Sequence, residues 1–127
     1  DRALLVTSLE PTAVVDAYAV AKVLSGVVPA LGVGIVVNGV RNGEEAGLAF
    51  RQLEIASTRF LTRELKYYGF IAEDAAVREA VIEHAPQSAA SRGYRTLAAL
   101  LAGLGPTSGR SVDVDAVLGA EEISRCA

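Results

Sequence analysis

Short apolar runs alternate with longer segments of helical periodicity, and this alternation constrains the fold more than any other feature of the sequence. The runs span residues 3–7, 33–38 and 67–71. Each is continuous rather than alternating, which is typical of a strand buried on both faces of a parallel sheet. The segments between the runs are too long for hairpins, so the strands should be parallel with right-handed crossovers. The sequence therefore predicts an α/β protein with a three-layer, mostly parallel sheet and the element order βαβαβαα.

The first two helices have recognisable beginnings. Pro11 suits the first turn of a helix, which Gly26 and Pro29 should end. Asn42 is a candidate N-cap for the second helix, with Glu45 three residues later as in a variant of the capping box. The apolar side assigned to the second helix consists of Ala46, Phe50, Leu53, Phe60, Leu61 and Leu65.

Two further helices are expected after the third apolar run. Asp74 can cap a helix over residues 75–84, and Ser88 can cap the last one. Residues 32–34 are interpreted as a turn before the second strand, and residues 105–127 as an acidic tail containing Gly and Ser, with a short helix over 112–124. The apolar stripe assigned to the last helix consists of Tyr94, Leu97, Ala98, Leu101 and Leu104.

Composition excludes several classes of protein. The chain is 51% hydrophobic and 21% charged, which is too apolar for a disordered chain. Twelve basic and fifteen acidic residues give a net charge of -3, so a basic surface for nucleic acid or anionic membrane is not expected. The single cysteine, Cys126, allows no internal disulfide and fits a reducing cytosol. The uncharged stretch over residues 23–40 is interrupted by glycines and a proline, so it is interpreted as core rather than as a membrane helix.

Candidate functional residues follow the predicted strands, because parallel sheets bind ligands outside the carboxyl ends of their strands. Asn38 ends the second apolar run, and its amide carries a donor and an acceptor that match an edge of adenine. The alternative is that this amide caps the strand through a bond to the neighbouring loop. Glu73 and Asp74 follow the third run, where helix capping is the alternative to a ligand contact. His84 is the only histidine and has no cysteine nearby, so neither a metal site nor a catalytic group is predicted.

An ordered series of motifs resembles the C-terminal half of the MinD/ParA class of P-loop ATPases. The segment Val6-Thr-Ser-Leu-Glu-Pro-Thr-Ala-Val-Val-Asp-Ala-Tyr18 is similar to the family's V-T-T-P-E-P-T-A-I-T-D-A-Y. The strand end at Asn38, the segment 68–74 and the Pro-Gln-Ser of residues 86–88 continue the series. Within the class, the chain looks most like FlhG-type flagellar-number regulators and MinD-like site-determining proteins. The resemblance covers residues 3–104 and implies a P-loop NTPase-like fold.

The resemblance implies a nucleotide site. Adenine would contact Asn38 and its neighbour Gly39, while the loop of Ala72, Glu73 and Asp74 would pack on the base. ATP and Mg²⁺ would bind the full-length protein, which is expected to be an ATPase that dimerises on ATP. No phosphate loop of the form G-x-x-x-x-G-K-[ST] occurs in this sequence, so no hydrolysis is expected from this chain alone.

The biological role implied by the resemblance is control of flagellar number or placement, or of a similar process at the cell pole. The protein would be cytoplasmic, or peripheral to the inner membrane when full length, with protein partners at the pole or membrane and no nucleic acid. The chain is interpreted as a piece of a longer protein. The alternative is a non-catalytic α/β interaction domain derived from the same fold. Leu9, Gly39 and Ala72, where the family has other residues, motivate that alternative.

Overall fold

Three parallel strands form one sheet in the order β1–β2–β3, with β2 in the centre. The computed structural model describes residues 2–61, 64–78 and 81–103. The predicted tail over residues 105–127, its helix over 112–124 and Leu104 lie outside the described residues. The strands are β1 (Arg2–Thr7), β2 (Gly32–Val40) and β3 (Lys66–Ala72). The helices are α1 (Pro11–Val27), α2 (Gly43–Phe60), α3 (Val81–His84) and α4 (Ala89–Gly103), with a 3₁₀ turn at Ala75–Arg78.

Helices cover both faces of the sheet, so the predicted α/β class with three layers and parallel strands is confirmed. α1 and α2 pack on one face, and α4 packs on β3 from the other. Side chains of β2 alternate between the two layers, as the pleat of a strand requires. The first core consists of Val14, Ala17, Ala21, Val33, Ile35, Val37, Val40, Ala46, Ala49, Leu53 and Leu65. The second core consists of Val36, Tyr68, Ile71 and Ala90, with Leu4, Tyr94 and Leu97 partly buried against it.

The predicted helix caps are also observed. Pro11 lies in the first turn of α1. The Asn42 Oδ1 accepts a hydrogen bond of 3.0 Å from the backbone N–H of Glu45. The Ser88 Oγ accepts one of 3.1 Å from the N–H of Ser91 at the start of α4. Each bond pairs a backbone donor that the first turn of a helix leaves unsatisfied.

The expectation that β1 is buried on both faces was wrong. β1 is an edge strand of the described sheet, and Val6 is 62% exposed. Leu5 packs against the core formed with α1 and α2, whereas Val6 lies on the opposite face. α4 packs on β3, and it therefore does not bury this end of β1.

Five local predictions also need correction. Residues 32–34 form the start of β2 rather than a turn, because each pairs with a residue of β1. Phe60 is 67% exposed, because α2 ends there, and Arg59 contacts its ring. Leu65 is buried but precedes β3 instead of extending α2.

Residues 75–84 are described as a 3₁₀ turn and one short helix, with residues 79 and 80 outside the described residues. In α4, Leu101 is 42% exposed and Ala98 is exposed, so the predicted stripe is buried only in part.

Candidate functional site

Asn38 and Gly39 lie near the carboxyl end of β2, where the pairing with β3 is irregular. Gly39 has a φ of 70°, a left-handed conformation that residues with a Cβ rarely adopt. The register shifts between the pairs Asn38↔Ile71 and Val40↔Ala72, so Gly39 is an extra residue in β2. The bulge leaves Asn38 and Gly39 exposed and returns Val40 to the core, where it is 1% exposed.

The side-chain amide of Asn38 is available to a ligand. Asn38 is exposed, and no described residue forms a hydrogen bond with its side chain. The alternative in which this amide caps the strand through the neighbouring loop therefore has no supporting bond within the described ranges. An amide in this state presents a donor and an acceptor side by side to the solvent.

A second bulge, in β3, accompanies the one in β2. Gly69 has a φ of 105°, and the register passes from Ile35↔Tyr67 to Val37↔Phe70. β3 thus gains one residue here, and the bulge near the end of β2 compensates for it. As a result both Tyr67 and Phe70 pack against the core on the side of α1 and α2.

The strand end and loop predicted to pack on a base are held next to the end of β2. Ala72 is 9% exposed and pairs with Val40. The backbone N–H of Glu73 donates a hydrogen bond of 2.8 Å to the carbonyl of Val40, and Glu73 itself is exposed. The structure thus brings Asn38, Gly39, Ala72 and Glu73 to the same end of the sheet.

The Asp74 carboxylate is used inside the protein. Its Oδ1 accepts from the N–H of Ala76 at 3.0 Å, and its Oδ2 accepts from the N–H of Ala90 at 3.3 Å. These backbone bonds, together with the Ser88 side chain and the charge of Arg92, hold the pKa of Asp74 below its ordinary value. The capping role expected for Asp74 is therefore observed, and it joins the loop after β3 to the first turn of α4.

Sequence reasoning missed Arg41 as a member of this region. Its guanidinium forms an ion pair with Glu45, and the Nε–Oε1 distance is 2.5 Å. The backbone N–H of Arg41 also donates to the Glu45 Oε2 at 2.8 Å. These bonds lower the pKa of Glu45 and raise the pKa of Arg41. The negative charge of Glu73 also raises the pKa of Arg41. The sequence signal that could have identified this ion pair is the four-residue spacing between Arg41 and Glu45. The capping-box interpretation instead assigned the Glu45 carboxylate to the backbone of Asn42.

A pocket of about 410 Å³ adjoins this region. Its lining comes from the start of α2, from β3 and from α4, including Arg41, Ala72, Arg92 and Thr96. Of the predicted site residues, only Ala72 lines the pocket. Asn38, Gly39 and Glu73 lie outside it, and the Asp74 carboxylate is bound to the first turn of α4. Ala72 therefore belongs both to the pocket lining and to the predicted site, whereas Asn38 lies outside the pocket.

The described residues contain no group of three or more His, Cys, Asp or Glu side chains that could hold a metal ion. His84 is exposed near the end of α3. Among the helices that the structure describes, none is long and apolar enough to cross a membrane.

Comparison with known proteins adds one relative. No family model matches the sequence. The chain is 34% identical over 101 residues to the antiactivator FleN of Pseudomonas aeruginosa, an alignment that covers 75% of this chain and 36% of FleN. The chain therefore spans about a third of the length of this curated relative. These figures establish similarity between most of this chain and one part of FleN.

Proposed function

We propose that this chain is the adenine-binding portion of a MinD/ParA-like ATPase that regulates flagellar number or placement, or a similar process at the cell pole. The observation that carries the proposal is the amide of Asn38, which is exposed at a strand end and makes no hydrogen bond to a described residue. The similarity to FleN, whose name describes it as an antiactivator, supports a regulatory protein of this class.

In this proposal the residues have separate roles. The Asn38 amide pairs with the donor and acceptor on one edge of adenine, and Gly39 leaves room beside it because a Cβ is absent. Ala72 and Glu73 border the base, since the Glu73–Val40 hydrogen bond fixes the loop against the end of β2. Asp74 positions that loop through its bonds to the N–H groups of the 3₁₀ turn and α4.

Phosphate and Mg²⁺ do not fit the residues of this chain. The sequence has no phosphate loop, and the nearby Arg41 is already paired with Glu45. Backbone N–H groups, a lysine and Mg²⁺ supply most of the phosphate binding in P-loop proteins, so those groups would come from another part of the full-length protein. We accordingly expect no ATP hydrolysis by the 127 residues alone.

The test is a titration of the ¹⁵N-labelled chain with AMP, followed by nuclear magnetic resonance. We expect shift changes at Asn38, Gly39 and Glu73 and a dissociation constant on the order of 1 mM. GMP should bind more weakly if the amide pairs with the N7 edge, because guanine presents two acceptors there, whereas adenine presents a donor and an acceptor. Asn38→Ala should abolish the response, whereas the matched control Thr58→Ala, on the exposed side of α2, should leave it unchanged. Equal responses to AMP in Asn38→Ala and in the control would disprove the assignment.

The alternative, a non-catalytic interaction domain, is favoured by one observation. The Asp74 carboxylate already accepts bonds from two backbone N–H groups, which leaves it less capacity for a nucleotide. The coding sequence upstream of Asp1 separates the two proposals. A phosphate loop a hundred or more residues earlier supports the ATPase, and a continuous reading frame without one supports the interaction domain.

A further inference from the structure

The pocket of about 410 Å³ beside β3 is not used by the proposed adenine site, with which it shares only Ala72. Gly69 and Phe70 line it from the middle of β3, residues 41–43 line it at the start of α2, and the first half of α4 also contributes. α2 and α4 pack on opposite faces of the sheet. A pocket that both helices border therefore lies at the edge of β3 away from β2. Its volume is typical of small-molecule sites.

The pocket lining combines apolar and cationic side chains. Phe70, Ala72 and Ala89 contribute carbon-rich surface, and the charged residues of the lining are Arg41 and Arg92. No Asp or Glu is among the described residues that line the pocket. Small-molecule sites typically combine apolar walls with a few polar groups that fix the orientation of the ligand. This lining therefore favours a ligand with an apolar body and a negative charge.

The two arginines of the pocket differ in their partners. The charge of Arg41 is offset by its ion pair with Glu45. The Arg92 Nη1 donates a hydrogen bond to the neutral backbone carbonyl of Gln87, and no ion pair joins Arg92 to a described carboxylate. Both oxygens of the nearby Asp74 already accept backbone N–H groups. Because a guanidinium has five N–H donors, Arg92 is held by one bond and keeps a positive charge and several donors for a ligand.

We propose that this pocket binds a small organic carboxylate, whose carboxylate group pairs with the Arg92 guanidinium and whose apolar body packs against Phe70 and Ala89. The planar guanidinium matches a carboxylate with two parallel hydrogen bonds. One uncompensated guanidinium suits a single negative charge better than the double charge of inorganic phosphate, since Arg41 is already neutralised. The ligand contains no adenine and does not contact Asn38, so the pocket is a second site beyond the proposed nucleotide function.

Titration of the ¹⁵N-labelled chain with phenylacetate, followed by nuclear magnetic resonance, tests the ligand class. Phenylacetate should shift the amide signals of Gly43, Gly69 and Gly93, with a dissociation constant of about 1–10 mM. Phenylacetamide has the same ring without the charge and should bind roughly 5-fold more weakly or worse. Inorganic phosphate should also bind more weakly than phenylacetate. Equal affinities for phenylacetate and phenylacetamide, tighter binding of phosphate, or no binding of phenylacetate would overturn the proposal.

A pair of arginine variants tests the residue assigned to the carboxylate. Arg92→Gln should weaken phenylacetate binding roughly 5-fold or more. The matched control is Arg95→Gln, which removes the same charge from α4. Arg95 also donates to a backbone carbonyl, that of Pro86, but does not line the pocket, so the control should bind within about 2-fold of the original chain. Asn38→Ala should likewise bind phenylacetate normally. Equal weakening by the two arginine variants would indicate general charge attraction, and weakening by Asn38→Ala would indicate one shared site; either result would contradict the proposal.

Discussion

Gly34 of β2 is in close contact with the aromatic ring of Tyr68 in β3. A Cβ built on Gly34 would stand 2.1 Å from Cε2 and 2.5 Å from Cδ2 of that ring, closer than any real side-chain contact. Tyr68 is 4% exposed and belongs to the core beneath α4. The missing side chain at position 34 is therefore what leaves room for the Tyr68 ring against the central strand.

Gly34→Ala should lower the free energy of unfolding by about 2–3 kcal/mol, because the ring of Tyr68 must leave its packed position. Urea denaturation followed by circular dichroism measures the change. Gly26→Ala is the matched control, since nothing lies within 4 Å of a Cβ at that position in α1, and it should be neutral or slightly stabilising. A Gly34→Ala variant as stable as the control would show that the ring does not occupy this position.

A double-mutant cycle tests whether the loss of stability comes from the contact between Gly34 and Tyr68. Tyr68→Ala alone should cost about 3–5 kcal/mol through loss of a buried ring. Combined with Gly34→Ala, the total should be less than the sum of the single changes, because the clash disappears with the ring. Additive losses would indicate that position 34 is sensitive for a reason other than Tyr68.

The strand and helix order could be predicted from the sequence because it depends on local periodicity. The runs that became β2 and β3, and the caps at Asn42 and Ser88, are determined by nearby residues. The exposure of Val6 and Phe60 could not be predicted, because it depends on where distant elements end. The same limit explains why a turn was wrongly predicted at residues 32–34. Two closely spaced glycines are typical of a turn, and the sequence does not show that Gly34 leaves space for the ring of Tyr68.

For the candidate site, the sequence could place Asn38 and residues 72–74 at one end of the sheet, because parallel strands have their carboxyl ends together. It could not predict the bulges at Gly39 and Gly69, since a register shift is a property of two paired strands. It also could not predict that Glu45 would bind Arg41, because the capping box offered that carboxylate a nearer backbone partner.

Gly39→Ala should destabilise the protein by about 1 kcal/mol through backbone strain alone. The φ of 70° is costly for a residue with a Cβ, whereas nothing lies within 4 Å of that Cβ to clash with it. Gly39→Asn should cost less, because asparagine tolerates the left-handed region. Urea midpoints of the two variants provide the comparison, and an alanine variant as stable as the asparagine one would argue against the bulge.

Asp74 should make the stability of the protein depend on pH in the acidic range. Its pKa in the folded state is lowered, first by the N–H of Ala76 and then by that of Ala90. A lowered folded pKa means that the stabilisation is present above the unfolded pKa of about 4 and is lost as the pH falls towards the folded pKa. Asp74→Asn should therefore be less stable than the original chain at pH 7, and the difference should shrink as the pH falls below about 4. Parallel stability curves for the two proteins over this range would contradict the capping role.

Isothermal titration of the chain with adenosine, AMP, ADP and ATP, the last with Mg²⁺, tests the central claim most directly. If the chain binds the base through Asn38 and carries no phosphate site, the four ligands should bind with similar dissociation constants on the order of 1 mM, equivalent to about 4 kcal/mol. One or two hydrogen bonds of about 0.5–1.5 kcal/mol each, together with packing, account for an affinity of this size. A micromolar dissociation constant for ATP beside a millimolar one for adenosine would reveal a phosphate site within these 127 residues and would contradict the account.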